Sequence, residues 1–254
     1  MKIIRSALET YTRNWILRRR LPAAFDGVPI YVSPSAGLRY LFRRMSDIDP
    51  VLLNLAKEFV KKDAVVWDVG ANVGLFTAAA ASLAGAHGSV VAIEPDVWLV
   101  QVLQRTAKAQ SRRVAPITVV PGAVASEVAV RSFVLATRSR SANFLEGYGT
   151  TQAGGGRETM TTLSVSLDWL LGFFPAPAVL KIDVEGAELE VLAGSHRLFD
   201  TARPVVIVEV AAAAASEVTT FFHNRGYALY DAEERAIPRS PVSRAPWMTL
   251  ALPA

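Results

Sequence analysis

Residues 64–77 read AVVWDVGANVGLFT. The apolar, β-branched run from Ala64 to Val69 has the composition of a strand covered on both faces. It carries an acid, Asp68, next to its end and runs into Gly70-Ala71-Asn72-Val73-Gly74. The small-residue stretch Leu75–Leu83 then reads as a helix. Gly70 and Gly74 are expected to let backbone amides approach a ligand where a Cβ would stand in the way. Strand, glycine turn and helix in this order open a ligand-binding α/β unit.

The loop is not a phosphate cradle of either common kind. A P-loop carries Lys-Ser/Thr after its last glycine, and here Leu75-Phe76 follow Gly74. The dinucleotide fingerprint needs a glycine where Ala71-Asn72 stands. A nucleoside-like ligand without a diphosphate fits better. Beyond Gly74, Ser89–Ile93 reads as a second strand and ends in Glu94. An acid at that tip is placed to hold a ribose diol, since a carboxylate accepts from both hydroxyls. S-adenosylmethionine matches this combination best.

At 254 residues with half of them apolar, the chain has the size of one α/β domain with a sizeable core. The formal charge of +4 is concentrated at the amino end, where residues 1–20 hold six Lys/Arg against Glu9. The remainder is near neutral, which argues against a broad nucleic-acid face. There is no cysteine, so disulfides and thiolate metal sites are excluded. No run approaches the roughly 18 apolar residues of a membrane span, and no signal-peptide core is visible. A cytoplasmic protein is the expectation.

Ile4, Leu8, Tyr11 and Trp15 recur at helical steps, so residues 1–20 are expected to start as an amphipathic helix followed by an arginine cluster. It reads as a surface helix, with peripheral contact to an anionic membrane as the alternative. Residues 1–47 are taken as an extension and 48–254 as the catalytic domain. Within the extension, Val28–Val32 and Leu38–Phe42 read as strand-like pieces. Asp49-Pro50 marks a helix entry. Helix and strand then alternate: helix 97–110, strand Ile117–Val120, strands Val128–Leu135 and Thr159–Val165. Between the last two lies Thr137–Glu158, with glycines at 154–156, which reads as a mobile segment near the substrate. Strand Ala178–Ile182 leads into Asp183, with a helix expected at once from Glu185 to Gly194. Val205–Val208 ends in Glu209, a helix follows over Ala211–Phe222, and Tyr227–Tyr230 and Trp247–Leu252 close the sheet. The pattern predicts a doubly wound, mostly parallel sheet with ligands beyond its carboxyl edge. Asp68, Glu94, Asp183 and Glu209 all fall at that edge.

VVWDVGANVGLFT, VVAIEPD, VSLDWLL, VLKIDVEGAELEVLAG and PVVIVEV, in this order and spacing, resemble the FkbM family of methyltransferases over about residues 48–230. KIDVEGAE is the most specific of these blocks. Trp67 stands where a smaller aliphatic residue is usual, and Gln101–Arg105 lacks an expected Asn. The resemblance implies a seven-stranded Rossmann-like sheet and S-adenosylmethionine-dependent O-methylation of a sugar, glycolipid, polysaccharide or polyketide-type hydroxyl. It implies that Asp68, Gly70, Asn72 and Gly74 hold the methionine part of the cofactor and Glu94 the ribose. Asp183, Glu185 and Glu188 match the acids of its hallmark block.

For chemistry, Asp183 is the candidate base, with Glu209 on the neighbouring strand as its partner. The two acids are alternatively ligands for a hard cation such as Mg2+. Glu185 is either catalytic or a helix-capping acid. Lys181 within the strand is expected to pair with an acid. His196, Arg140 and Asn143 are placed to approach a substrate. Rival readings are an RNA ribose 2′-O-methyltransferase, a non-catalytic cofactor-binding scaffold, and a nicotinamide dehydrogenase, which the missing glycine disfavours.

Overall fold

The structure, a computed structural model, describes residues 11–149, 154–234 and 236–254. Most of the expected amino-terminal helix therefore lies outside the described residues. Its arginine end is not helical: Leu17–Arg20 is strand β1, paired antiparallel with β2, Pro29–Val32. The reason is burial. Ile30 and Val32 of β2 are fully buried, and two-residue alternation suits a ribbon laid on a core. Arg39–Phe42, expected as strand-like, is a short helix α1.

Helix α2, Pro50–Phe59, begins as expected. Pro50 occupies the first turn, where its missing N–H costs nothing, and the Asp49 carboxylate accepts from the Leu52 N–H at 2.9 Å. Strand β3, Val65–Val69, and helix α3, Leu75–Ala84, flank the glycine loop. Strand β4, Ser89–Glu94, helix α4, Val97–Lys108, and strand β5, Ile117–Pro121, follow. Next come β6, Ala123–Val124, β7, Ala129–Ala136, β8, Phe144–Leu145, and β9, Gly156–Val165. Helix α5, Leu167–Leu170, leads to β10, Val179–Ile182. Helices α6, Glu188–Ala193, and α7, His196–Thr201, precede β11, Val205–Glu209. Helix α8, Ala215–His223, β12, Tyr227–Asp231, and β13, Met248–Pro253, complete the described chain.

Seven strands form the main sheet in the order β12-β13-β11-β10-β3-β4-β5. β13 runs antiparallel to both of its neighbours. β5, β4, β3, β10 and β11 are mutually parallel, so their carboxyl ends share one edge. Both faces are covered. Val66, Val90, Val179 and Ile207 belong to one core with α2 and α3, whereas Trp67, Val91, Leu180 and Val206 belong to another with α5, α7 and α8. Side chains alternate across a strand, so consecutive residues feed opposite cores.

Two features depart from a plain doubly wound sheet. Leu21, Phe25, Ile30, Val32 and Tyr40 lie in the same core as Leu55, Val66 and Phe76, so the segment before residue 48 is continuous with the packing of the domain. A second sheet, β6-β9-β7-β8, is built from the irregular stretch between the third and fourth parallel strands. It sits over the carboxyl edge and supplies one wall of the site.

Candidate functional site

The centre of the site follows from strand register. β3 and β10 pair with Lys181 opposite Asp68, which puts both side chains on the same face of the sheet. Asp68 is fully buried and Lys181 nearly so. The Lys181 ammonium lies 3.2 Å from Asp68 Oδ1 and 3.4 Å from Asp183 Oδ2. It also donates to the Gly70 carbonyl oxygen at 3.0 Å. Burial opposes its charge, but the carboxylates of Asp68, Asp183 and Glu209 outweigh burial and raise its pKa. The second Asp68 oxygen accepts from the Thr77 hydroxyl at 2.5 Å, at the start of α3. Asp68 thus sits beneath the loop and joins strand, loop, helix and β10. Neither of the two clefts described below is lined by it.

Gly70 lines the first of the two clefts at this edge, and both glycines also meet an internal demand. A Cβ on Gly70, at φ +70°, would fall 1.8 Å from the Asp183 carbonyl oxygen, and one on Gly74 would fall 2.6 Å from Leu103. They allow β3 to pass β10 and α3 to pack on α4. The amides of Gly70 and Ala71 both donate to the Ile93 carbonyl at 3.0 Å. Asn72 has φ +54°, and its amide donates to Glu94 Oε2 at 2.8 Å. The Asp96 amide donates to the other Glu94 oxygen at 2.9 Å. Burial, against these two donors, pushes the Glu94 carboxyl up to about 8.

Asp96 caps α4 through the Trp98 amide and anchors the opposite wall. Its Oδ2 pairs with the Arg140 guanidinium and accepts from Asn143 Nδ2 at 2.8 Å. The Asn143 amide oxygen in turn accepts from the Ala136 N–H at 2.8 Å. Arg140 and Asn143 therefore hold the segment 140–145 over the sheet edge. Residues 150–153 of the expected mobile segment lie outside the described residues.

The hallmark block is a turn where a helix was expected. Residues 183–187 are not helical, and α6 starts only at Glu188. Glu185 at φ +52° and Gly186 at φ +101° break the helical path. A capping role for Glu185 is thereby removed. Glu188, whose sequence position suggests either helix surface or a structural salt bridge, is buried, and its Oε1 accepts from the Gly186 amide at 2.8 Å. Gly186 is required by the close approach of Gly149, whose N would lie 2.9 Å from a Cβ. His196 faces Arg225 at 2.6 Å on the α7–α8 side and lines neither cleft.

Two clefts open at this edge. The first is lined by Glu94, Pro95, Gly122, Val124, Phe133, Asn143 and Leu145, among others: a carboxyl group at one end and apolar walls along it. The second, larger and more polar, is lined by Arg39, Tyr40, Asp49, Lys181, Glu209 and Trp247 with the glycine loop. Asn72, Ser141, Asp183 and Glu185 line both. The Asn72 side-chain oxygen is buried there with no hydrogen-bond partner among the described residues. Glu209, at the tip of β11, is pushed up to about 8 by burial and then by the Asp183 charge. Among the described residues no group of three or more His, Cys, Asp or Glu is arranged to hold a metal ion.

The sheet order, the reversed β13, and a slot against the acid-tipped second parallel strand are those of a class I, Rossmann-like methyltransferase fold. Residues 68–229 match the Methyltransferase FkbM domain, and the chain belongs to the FkbM family of S-adenosylmethionine-dependent methyltransferases. It is 30% identical over 166 residues to the hexuronic acid methyltransferase AglP of Haloferax volcanii, covering 63% of this chain. The chain spans 61% of that relative's length. Among solved structures, the chain is similar to a methyltransferase FkbM from Methylobacillus flagellatus, at 19% identity and a TM-score of 0.47, over 75% of this chain and 43% of that one. It is also similar to Aeropyrum pernix fibrillarin in complex with S-adenosylmethionine, at 10% identity and a TM-score of 0.48, over 89% and 90%.

The residues that sequence reasoning passed over are Trp247 and the wall residues Ser141 and Arg39. Arg39 and Trp247 carry no local signal: an arginine and a tryptophan in short, irregular segments look alike whether they face solvent or a cleft. Ser141 lies in the stretch read as near the substrate, but nothing local singled it out.

Proposed function

We propose that this chain transfers a methyl group from S-adenosylmethionine to a hydroxyl of a sugar or sugar-containing acceptor. The observation that carries the proposal is the meeting of two clefts at Asp183, one running from Glu94 between apolar walls and the other polar. The relative's action on a hexuronic acid supports a sugar acceptor.

Glu94 keeps lone pairs for ribose hydroxyls after accepting its two backbone amides. The orphaned Asn72 oxygen, at the junction, takes an N–H or O–H of the cofactor, which relieves the cost of leaving a buried acceptor unpaired. Pro95, Val124, Phe133 and Leu145 exclude water from the nucleoside slot. The cofactor, when bound, supplies a methyl carbon already activated by a positive sulfur. What remains for the protein is alignment, and removal of a proton from a weakly acidic hydroxyl.

Asp183 accepts that proton. Lys181 holds its carboxylate at 3.4 Å, and the same ammonium grips the glycine loop, so base and cofactor loop are positioned by one side chain. Glu209, whose carboxyl burial pushes up to about 8, keeps its proton at neutral pH at the tip of the strand beside Asp183. A base is favoured over a metal because the Lys181 ammonium already stands where a cation bridging these acids would be repelled.

Calorimetry with S-adenosylmethionine, followed by mass spectrometry of cell extracts incubated with the methyl-labelled cofactor, tests the proposal. A labelled glycan or glycolipid is expected, formed equally with and without EDTA. Absence of cofactor binding overturns the reading, and loss of turnover in EDTA replaces the base by a metal.

A further inference from the structure

We infer that Trp247 is the platform on which the ring of the acceptor sugar lies, with its C–H face on the indole and a ring hydroxyl turned to Asp183. The chemistry rests on the methyl-transfer reading above; the placement of the ring rests on the surroundings of Trp247.

Trp247 is 42% exposed, although the strand that follows it is buried. It lines the larger cleft together with Asp183, Glu185 and Glu209. It also closes the narrow gap between the Glu185-Gly186 turn and Ala211. Its own carbonyl and the residues on either side of it are held by hydrogen bonds. The Trp247 carbonyl accepts from the Val210 N–H at 2.7 Å, one residue past Glu209. The Ala245 N–H donates to the Thr219 hydroxyl at 2.9 Å. The Thr249 hydroxyl donates to the Pro246 carbonyl at 2.7 Å. A side chain on so fixed a backbone is pre-organised, and binding to it loses little ordering entropy.

The ring itself is unspent. Among the described residues, the indole N–H has no hydrogen-bond partner and the ring stacks on no other aromatic. The exposed aromatics Trp169 and Phe173, by contrast, pack on each other at a centroid distance of 4.4 Å, and Tyr11 and Trp15 do so at 5.6 Å. A large half-exposed aromatic surface beside hydrogen-bonding carboxyls matches a pyranose in particular. Such a ring has apolar C–H faces and a rim of hydroxyls, so one face is covered by the indole while the rim meets Asp183, Glu185 and Glu209. A linear polyol has no face to cover. An extended acyl chain has no rim.

Saturation-transfer NMR on the full chain loaded with S-adenosylhomocysteine tests this, with methyl β-D-glucuronide, methyl β-D-glucoside and glycerol as probes. Ring protons of at least one glycoside are expected to receive saturation, and glycerol none. Trp247→Ala should lower the transfer roughly five- to tenfold, the factor that one aromatic contact carries. Trp247→Phe should keep most of it. Unchanged affinity of both variants for S-adenosylhomocysteine, read by calorimetry, reports an intact sheet edge. Transfer that is absent for both glycosides, indifferent to Trp247→Ala, or equal for glycerol overturns the inference. If S-adenosylhomocysteine does not bind while Trp247-dependent transfer to a glycoside persists, the methyl-transfer reading falls and the platform stands.

Discussion

Asp183 stands between Lys181 on one side and open cleft on the other, with a quarter of its side chain exposed. Its replacement by Asn keeps the shape and removes the basic oxygen. Asp183→Asn should lower turnover by about two powers of ten or more, while affinity for S-adenosylhomocysteine stays within about threefold. Labelled-methyl transfer and calorimetry on the same preparation check both halves. Glu94 and Glu209 make a second, independent prediction. Both carboxyls rise from an ordinary 4.5 to about 8 in the folded chain. Between these values the folded state holds protons that the unfolded chain has released. Their contribution to stability is therefore complete below about pH 4.5 and is lost as pH rises through about 8. Urea unfolding at pH 5.5 and 8.5 should show the wild type losing several kcal/mol more than the Glu94→Gln, Glu209→Gln double variant, at about 1.4 kcal/mol per pH unit for each group. Equal losses would remove the raised values. At this scale the acids were legible in the sequence because each ends a strand. The partnership of Lys181 with both Asp68 and Asp183 needed the parallel register, which no local pattern specifies.

The elements that matter most are the two that meet at Gly70. β3 and β10 run side by side, and the turn after each must pass the other within van der Waals contact. Gly70→Ala places a methyl group 1.8 Å from a backbone oxygen that has no flexible end to yield. The variant should show a melting temperature lowered by several degrees, together with loss of cofactor affinity and of turnover, because the Asp183 tip moves with the loop. A variant with full stability and impaired binding alone would make ligand clearance the sole demand on Gly70. The glycines were readable from the sequence as necessary, but their reason was not: an internal close approach and an external ligand make the same demand on a residue. The hallmark turn teaches the same lesson. Glu185-Gly186-Ala187-Glu188 looks helical by composition, and left-handed backbone at Glu185 and Gly186 delays the helix to Glu188. Packing against Gly149, distant in sequence, is what selects that backbone.

Across the described molecule, residues 21–45 pack as part of the domain. Phe25, Ile30, Val32 and Tyr40 are buried in the core that also holds Leu55, Val66 and Phe76. The Tyr31 amide donates to Thr106 of α4 at 2.9 Å, and Gln110 reaches back to the Pro29 carbonyl at 2.8 Å. A chain beginning at residue 48 should therefore lack a cooperative thermal transition, since truncating several buried large side chains at once costs more than a typical domain's total stability. A sharp melt in calorimetry would make the extension a separate unit after all.

The sequence by itself determined the alternation of strands and helices, the parallel edge and the acids along it, because hydrophobic period and turn residues act within a few positions of one another. Only the tertiary structure decided which acids share a cleft, that β1 is a strand, that the irregular stretch after β5 folds into a second sheet, and that Trp247 lines the same cleft as Asp183. Those outcomes depend on contacts between segments tens to hundreds of residues apart, where burial and register, not local preference, choose among conformations that the local sequence leaves nearly equal in free energy.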